Sequence, residues 1–464
     1  MEPTDLRFGG GAANTILHPL VAVALLVTIA LIFLLPRRYV VAPALLIVFL
    51  VPFGQVVVLG GVHFTVYRII LLFGLLRLAT TKLPAGTSRL AGGFGAIDYA
   101  FTLCALFTFI TFVVQWMETQ ALVKGLGNLL DALGGYFVLR FLIQDRKDVQ
   151  RAIRVFAVIA MVLAVCMTNE QLTHKNVFGY LGGVPLGVTM REGKARAMGA
   201  FSVYITAGVF GATLLPLFIW LWSDAKSKSG ALLGMVGATV MTLTSNSSTP
   251  LLAYASGIVG LCFWPLRKHM RAIRWGLVLI LVGLHLVMKA PVWALIARID
   301  LTGSSSGFHR YILVDNCIRH FSDWWLIGFK NYNDWGFDMW DLSNQYVAYA
   351  VTGGLVTLIF FIAIISRSFG KLGTARKCVA GDRGHEWFLW CLGAALFAHV
   401  VAYFGIGYFD QMQFAWYALL AVICVAVSEA MHSPVPQAQE AGASAYQADA
   451  PVNWDLRSRI RERL

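Results

Sequence analysis

"DLSNQYVAYAVTGGLVTLIFFIAI", Asp341 to Ile364, decides the fold. Past Asn344 the run from residue 345 to 366 is apolar almost without interruption, long enough to cross a hydrocarbon core of about 30 Å as a helix. A strand of a membrane barrel would alternate apolar and polar side chains over about ten positions, and this run does not alternate. Twelve further runs read the same way, at residues 15–35, 39–60, 64–80, 97–115, 121–143, 152–168, 203–222, 230–243, 250–266, 274–295, 387–406 and 411–429. The expected fold is therefore all-α, a polytopic membrane protein with about 12–13 transmembrane helices. Composition agrees. Of 464 residues 58% are hydrophobic and 13% charged, roughly half the charged share of a soluble domain.

The first run lacks a basic leader and an A-x-A cleavage pattern, and it ends in Leu35-Pro36-Arg37-Arg38, so it reads as a retained span. Most of the 37 lysines and arginines fall in one alternating set of segments: Arg37-Arg38, 80–96, 145–154, 223–229, 267–274, 367–386 and the tail. The positive-inside rule makes that set cytoplasmic, so the net charge of +13 follows from topology and calls for no nucleic-acid partner. Residues 1–431 form one transmembrane helical domain with outward loops at about 169–202 and 297–343, followed by a disordered cytoplasmic tail at 432–464. The seven cysteines are scattered singly, with no C-x-x-C pair, which argues against zinc or thioredoxin chemistry and against a structural disulfide.

The chemistry-bearing residues gather in the outward loops. Gly303 to Gly307 reads as a flexible entry, and Tyr311, Ile312, Asp315, Cys317 and Ile318 recur near helical spacing up to His320, as in a short amphipathic helix at the membrane surface. Trp324, Trp325, Trp335 and Trp340 suit the water boundary. Arg196 precedes "AMGAFSVYITAGVF" and Arg310 precedes "YILVDNCIRHF". A guanidinium is a fixed fork of donors that matches phosphate bidentately, each charge-assisted bond contributing about 1.5–3 kcal/mol, so two of them suit a lipid diphosphate. Either alone reads more simply as a solvated or headgroup-facing charge. Arg68, in "HFTVYRIILL", either joins that site or reaches the headgroups, the second being the simpler reading; Arg77 and Arg140 fall near cytoplasmic ends, where they can snorkel. Asp131 is expected to pair with Arg140 or another helix, or to line a cavity. His309, His320, Asp315 and Asp323 form no known ligand spacing, so no metal is expected.

An arginine, a short helix, "WWLIGFKNYN" (Trp324–Asn333) and then the quoted run, with Asn344, Tyr346, Gly353 and Gly354, resemble the O-antigen ligase and polymerase superfamily. "RAMGAF", Arg196–Phe201, is similar to that family's other periplasmic arginine block, and "TLTSNSSTPLLAYASGIVG", Thr242–Gly260, to its short polar tip before a helix. The resemblance covers about residues 190–366 and the helix count. It implies a GT-C-like fold with a large periplasmic loop, and a metal-independent glycosyltransferase without cofactor, multi-pass in the bacterial inner membrane, with its active site on the periplasmic side. The implied donor is an undecaprenyl-diphosphate-linked glycan. The implied acceptor is another lipid-linked glycan for a polymerase, or lipid A core for a ligase, with membrane lipids and a chain-length regulator as candidate partners. Negative charge grows on the departing diphosphate, and Arg196 and Arg310 match the family positions that would meet it, with Arg191 a third. Arg68, Asn344, Trp325 and Tyr346 complete the candidate substrate-binding set. Where ligases of the family carry an H-x-H-N-like segment, this chain has Asp341-Leu-Ser-Asn344. The proton acceptor is then Asp341 or His309, each of which also has a plain structural reading as a hydrogen-bonding or helix-capping group. The missing histidine favours a polysaccharide polymerase over a ligase. A transporter or flippase of a solute or lipid-linked sugar, and a structural subunit of an envelope assembly, are the alternatives from other classes.

Overall fold

The computed structural model describes residues 15–82, 88–224, 228–298, 307–336 and 338–432. Arg7, the loop entry at 303–306 and the tail at 433–464 lie outside the described residues.

Each of the thirteen apolar runs falls on a helix: α1 (Pro19–Leu34), α2 (Arg37–Leu50), α3 (Val66–Thr80), α4 (Ala96–Trp116), the pair α5 (Thr119–Leu129) and α6 (Gly135–Leu142), α7 (Arg146–Thr173), α8 (Tyr204–Asp224), α9 (Ser229–Thr244), α10 (Ser248–Cys262), α11 (Met270–Val287) and, beyond two short loop helices α12 (Gly307–Arg319) and α13 (Phe321–Trp324), α14 (Gln345–Cys378), α15 (Arg383–Ala402) and α16 (Gln411–His432). Eight are long and apolar enough to cross a membrane, counting α5 and α6 as one, and α1, α9 and α10 are shorter apolar helices. The chain is thus mostly helical, with the architecture of a polytopic membrane protein. α8 and α16 run through its centre with most of their length enclosed, whereas α11 has no buried residue.

Several boundaries differ from the sequence expectation for local reasons. The second run ends as a helix at Leu50, because Pro52 cannot continue it, and Gly60-Gly61, both at positive φ, turn a small hairpin of β1 (Val56–Leu59) and β2 (Val62–Thr65). A second hairpin, β3 (Thr189–Arg191) with β4 (Lys194–Arg196), lies in the first long loop, so the fold is not purely helical. α7 starts earlier than its apolar run, since Asp145 caps it by accepting from the Asp148 N–H at 2.7 Å.

Of the intramembrane charges, Asp131 pairs with another helix, one of its expected outcomes, whereas Arg140 departs from the expectation. Asp131 sits on a π-helical turn between α5 and α6 and takes the guanidinium of Arg68, on α3, at 2.8 Å. Arg140 is 1% exposed and is bound to Asp98 at 3.1 Å and to the carbonyls of Ala91 and Gly93, so it is embedded and does not snorkel. At the arginine-rich end of the bundle Arg37 meets Asp148 at 2.9 Å, Arg146 meets Asp224 at 2.7 Å, and Arg267 meets Glu386 at 3.1 Å. Arg77 donates to the Leu35 carbonyl at 2.7 Å.

The glycine pair of the quoted stretch shapes the loop. Gly354 has φ +75° inside α14, and a Cβ there would lie 2.6 Å from the Leu326 carbonyl oxygen. The kink admits the chain after α13: Leu355 N–H donates to the Trp325 carbonyl at 2.9 Å and Phe329 N–H to the Val351 carbonyl at 2.7 Å. Only glycine combines that backbone conformation with so close an approach.

Candidate functional site

The site is built from two loop segments brought against the start of α14. The first is the stretch around Arg196. Glu170, fully buried near the end of α7, accepts backbone N–H groups of Met198 at 3.1 Å and Gly199 at 2.9 Å. From the other side Ala197 N–H donates to the Thr244 carbonyl at 3.1 Å, and Asn246 Nδ2 to the Ala195 carbonyl at 2.6 Å. The polar tip Thr242–Ser248 therefore serves to clamp the arginine segment. So held, Arg196 is 3% exposed, donates through Nη1 to the Tyr204 hydroxyl at 2.7 Å and lies 4.8 Å from the centre of the Tyr204 ring.

The second segment is α12, whose apolar side Leu313 and Cys317 are buried and whose end is pinned by Trp324 Nε1 donating to the Cys317 carbonyl at 2.6 Å. This packing turns Arg310 inward, where it is 6% exposed and its Nε has no hydrogen-bond partner. No carboxylate among the described residues lies within ion-pair distance of it, unlike Arg68, Arg140 or the arginines at the opposite end. Burial pushes the Arg310 guanidinium down from its ordinary pKa, opposed by the Asp341 carboxylate and by Tyr204 and reinforced by Arg191. Tyr204 is hydrogen-bonded to Arg196 and also acts electrostatically on Arg310, as does Arg191, a third cation exposed on β3.

Next to Arg310 on α12, His309 Nε2 lies 3.1 Å from the Asp341 carbonyl oxygen and 3.8 Å from its carboxylate. The two candidate proton acceptors are one contacting pair. Ser343 Oγ donates to the same carboxylate. Asn344 is the N-cap of α14: its Oδ1 accepts the Tyr346 and Val347 N–H groups at 3.0 and 3.1 Å, which fixes where the helix begins and leaves Nδ2 buried without a partner.

Two of the expected substrate contacts, Arg68 and Tyr346, have their polar groups engaged by other residues. Arg68 belongs to the embedded pair with Asp131. Tyr346 points into the bundle, its hydroxyl donating to the Val400 carbonyl at 3.2 Å and its ring against Phe404 and Phe361. Trp325 is 47% exposed and contributes its backbone carbonyl to the α14 kink. Tyr204 and Glu170 are the residues the sequence reading missed. Tyr204 was visible only as a hydroxyl eight positions past Arg196, and Glu170 only as an acid at the end of an apolar run. Among the described residues no cluster of histidine, cysteine and carboxylate is arranged to hold a metal ion.

No family model matches the chain, and no curated protein matches it. What the arrangement offers chemically is two buried arginines, Arg196 and Arg310, with the exposed Arg191 acting electrostatically on the second.

Proposed function

We propose that this chain is a membrane glycosyltransferase that extends or transfers a glycan carried on a polyprenyl diphosphate, of the polysaccharide-polymerase type. The observation that carries the reading is Arg310, a desolvated cation with no carboxylate among the described residues at ion-pair distance, within the electrostatic reach of the Tyr204 that Arg196 hydrogen-bonds. A buried charge normally keeps a partner, because desolvation is uncompensated without one. An arginine held unpaired suits a site whose counter-charge arrives with the substrate. A departing diphosphate supplies that charge, and preformed donors stabilise it as the glycosidic bond breaks. Two forks match its oxygens without a metal. The outward-facing position and the bacterial inner membrane belong to this same proposal, as does the GT-C-like description of the fold. Transfer to lipid A core, the ligase version, uses the same donor site with a different acceptor.

The test is reconstitution in vesicles with a lipid-linked repeat unit. Wild type lengthens the glycan, whereas Arg196→Ala and Arg310→Ala leave single repeats; full elongation by both variants removes the proposal. A transport reading is favoured by the two embedded pairs, Arg68–Asp131 and Arg140–Asp98, since charges within a bundle often mark a translocation route. Movement of labelled lipid-linked sugar across sealed vesicles with no change in glycan length selects it.

A further inference from the structure

We infer that His309 and Asp341 act as one unit, His309 Nδ1 taking the proton of the attacking sugar hydroxyl and Asp341 holding the ring for that task. The inference rests on the glycosyl-transfer reading above and adds to it the identity and the nitrogen of the proton acceptor. The argument begins from a one-way hydrogen bond. A backbone carbonyl accepts and never donates, so His309 Nε2, 3.1 Å from the Asp341 carbonyl oxygen, carries the hydrogen in neutral imidazole. The Asp341 carboxylate, 3.8 Å from the same nitrogen, favours a proton there too. Nδ1 is therefore left with its lone pair, and no hydrogen bond among the described residues occupies it. The ring is partly accessible, with 18% of its side chain exposed, and it neighbours Arg310 in sequence at the start of α12. A carboxylate fixing the tautomer while the opposite nitrogen does the chemistry is a general way of making imidazole a base.

The step balances within the substrates and this pair. An acceptor hydroxyl oxygen forms a bond to the anomeric carbon while the bond from that carbon to the diphosphate oxygen breaks. The bonding electrons leave with the diphosphate beside Arg196 and Arg310. The hydroxyl proton passes to Nδ1, and the resulting imidazolium keeps its Nε2–H on Asp341. Asp341 is accordingly a positioning residue, while His309 touches the reacting hydroxyl. Among the described residues, the Asp341 carboxylate ahead of α14 lies against the ring, and Arg310 follows it on the same helix.

The experiment uses the full chain in vesicles with a lipid-linked repeat unit, together with binding of the unglycosylated polyprenyl diphosphate. His309→Gln keeps an N–H for the Asp341 carbonyl and removes the base, so binding stays at the wild-type level while kcat falls by about 100- to 10,000-fold. Added imidazole restores part of the rate to His309→Ala, which a merely structural histidine would not allow. Asp341→Asn lowers kcat by about tenfold with KM unchanged, the pattern of a misdirected base. Elongation by His309→Gln within about threefold of wild type overturns the inference. So does an inactive His309→Ala that binds the lipid normally and gains nothing from imidazole. If Arg196→Ala and Arg310→Ala both elongate as wild type does, the glycosyl-transfer reading itself fails, which separates the two failures.

Discussion

Arg310 and Arg140 are both buried arginines, and replacing each by methionine should move stability in opposite directions. Arg140 is 1% exposed and fully engaged by Asp98 and two carbonyls, so Arg140→Met leaves Asp98 a buried unpaired carboxylate. Removing one member of such a pair costs about 3–5 kcal/mol. Arg310 is 6% exposed with its Nε orphaned and no ion pair among the described residues, so Arg310→Met takes out a desolvated group whose burial the Asp341 charge offsets only in part. That recovers about 1–3 kcal/mol, the penalty of an unsatisfied buried polar group. An unfolding entropy of about 2.1 cal/mol/K per residue makes 1 kcal/mol worth on the order of 1 °C in a chain of this length. Thermal unfolding in detergent, followed by near-UV circular dichroism, should show Arg140→Met lowered by about 3–5 °C and Arg310→Met raised by about 1–3 °C. The stabilised variant should also be the one without transferase activity, the exchange expected where a site is kept at the expense of stability. A drop for Arg310→Met as large as that for Arg140→Met would make Arg310 a structural strut and refute the reasoning.

Gly354→Ala forces an L side chain to φ +75° and into the Leu326 carbonyl at 2.6 Å, so it should cost at least about 1–2 kcal/mol and loosen the loop carrying Trp324 and Trp325, read as faster proteolysis there. Asn344→Ala should cost about 1 kcal/mol of stability by losing the cap, whereas Asn344→Asp, an equally good cap, should melt near wild type. Asp410, held by Ser202, has its carboxyl pushed up to about 6 by burial. A raised acid pKa means the folded state keeps a proton that the unfolded chain has lost. Stability should therefore decline as pH rises from about 4 to 6 and level off above, and Asp410→Asn should flatten that slope in melts taken across the window.

The helices were legible because continuous apolarity over about twenty residues has one meaning in lipid. The start of one such run after Asn344 and the helical spacing of residues from Tyr311 onward pointed to helices where α14 and α12 lie. Short hairpins were not legible, since three or four residues carry too little period to distinguish a strand from loop. The partner of Asp131 was hidden by the π turn at Leu130–Gly134, which adds a residue to the turn and rotates the following face by about a quarter of a circle relative to an ideal helix. Arg196 and Arg310 stood out in the sequence as cations at helix entrances. Tyr204, hydrogen-bonded to Arg196, did not, because one hydroxyl opening an apolar helix is ordinary. Tyr346 looked like a ligand residue by its position beside Asn344. Helical geometry instead swings it toward α15, where Val400 accepts its hydroxyl.

The central claim is that desolvated arginine binds a lipid-borne diphosphate, and its most direct measurement is the affinity of the nanodisc-embedded protein for polyprenyl diphosphate, with polyprenyl monophosphate as the comparison. Wild type should prefer the diphosphate, and Arg310→Met should weaken its binding by about 10- to 150-fold, the equivalent of one charge-assisted pair. Equal affinity of wild type and Arg310→Met for the diphosphate would contradict the account.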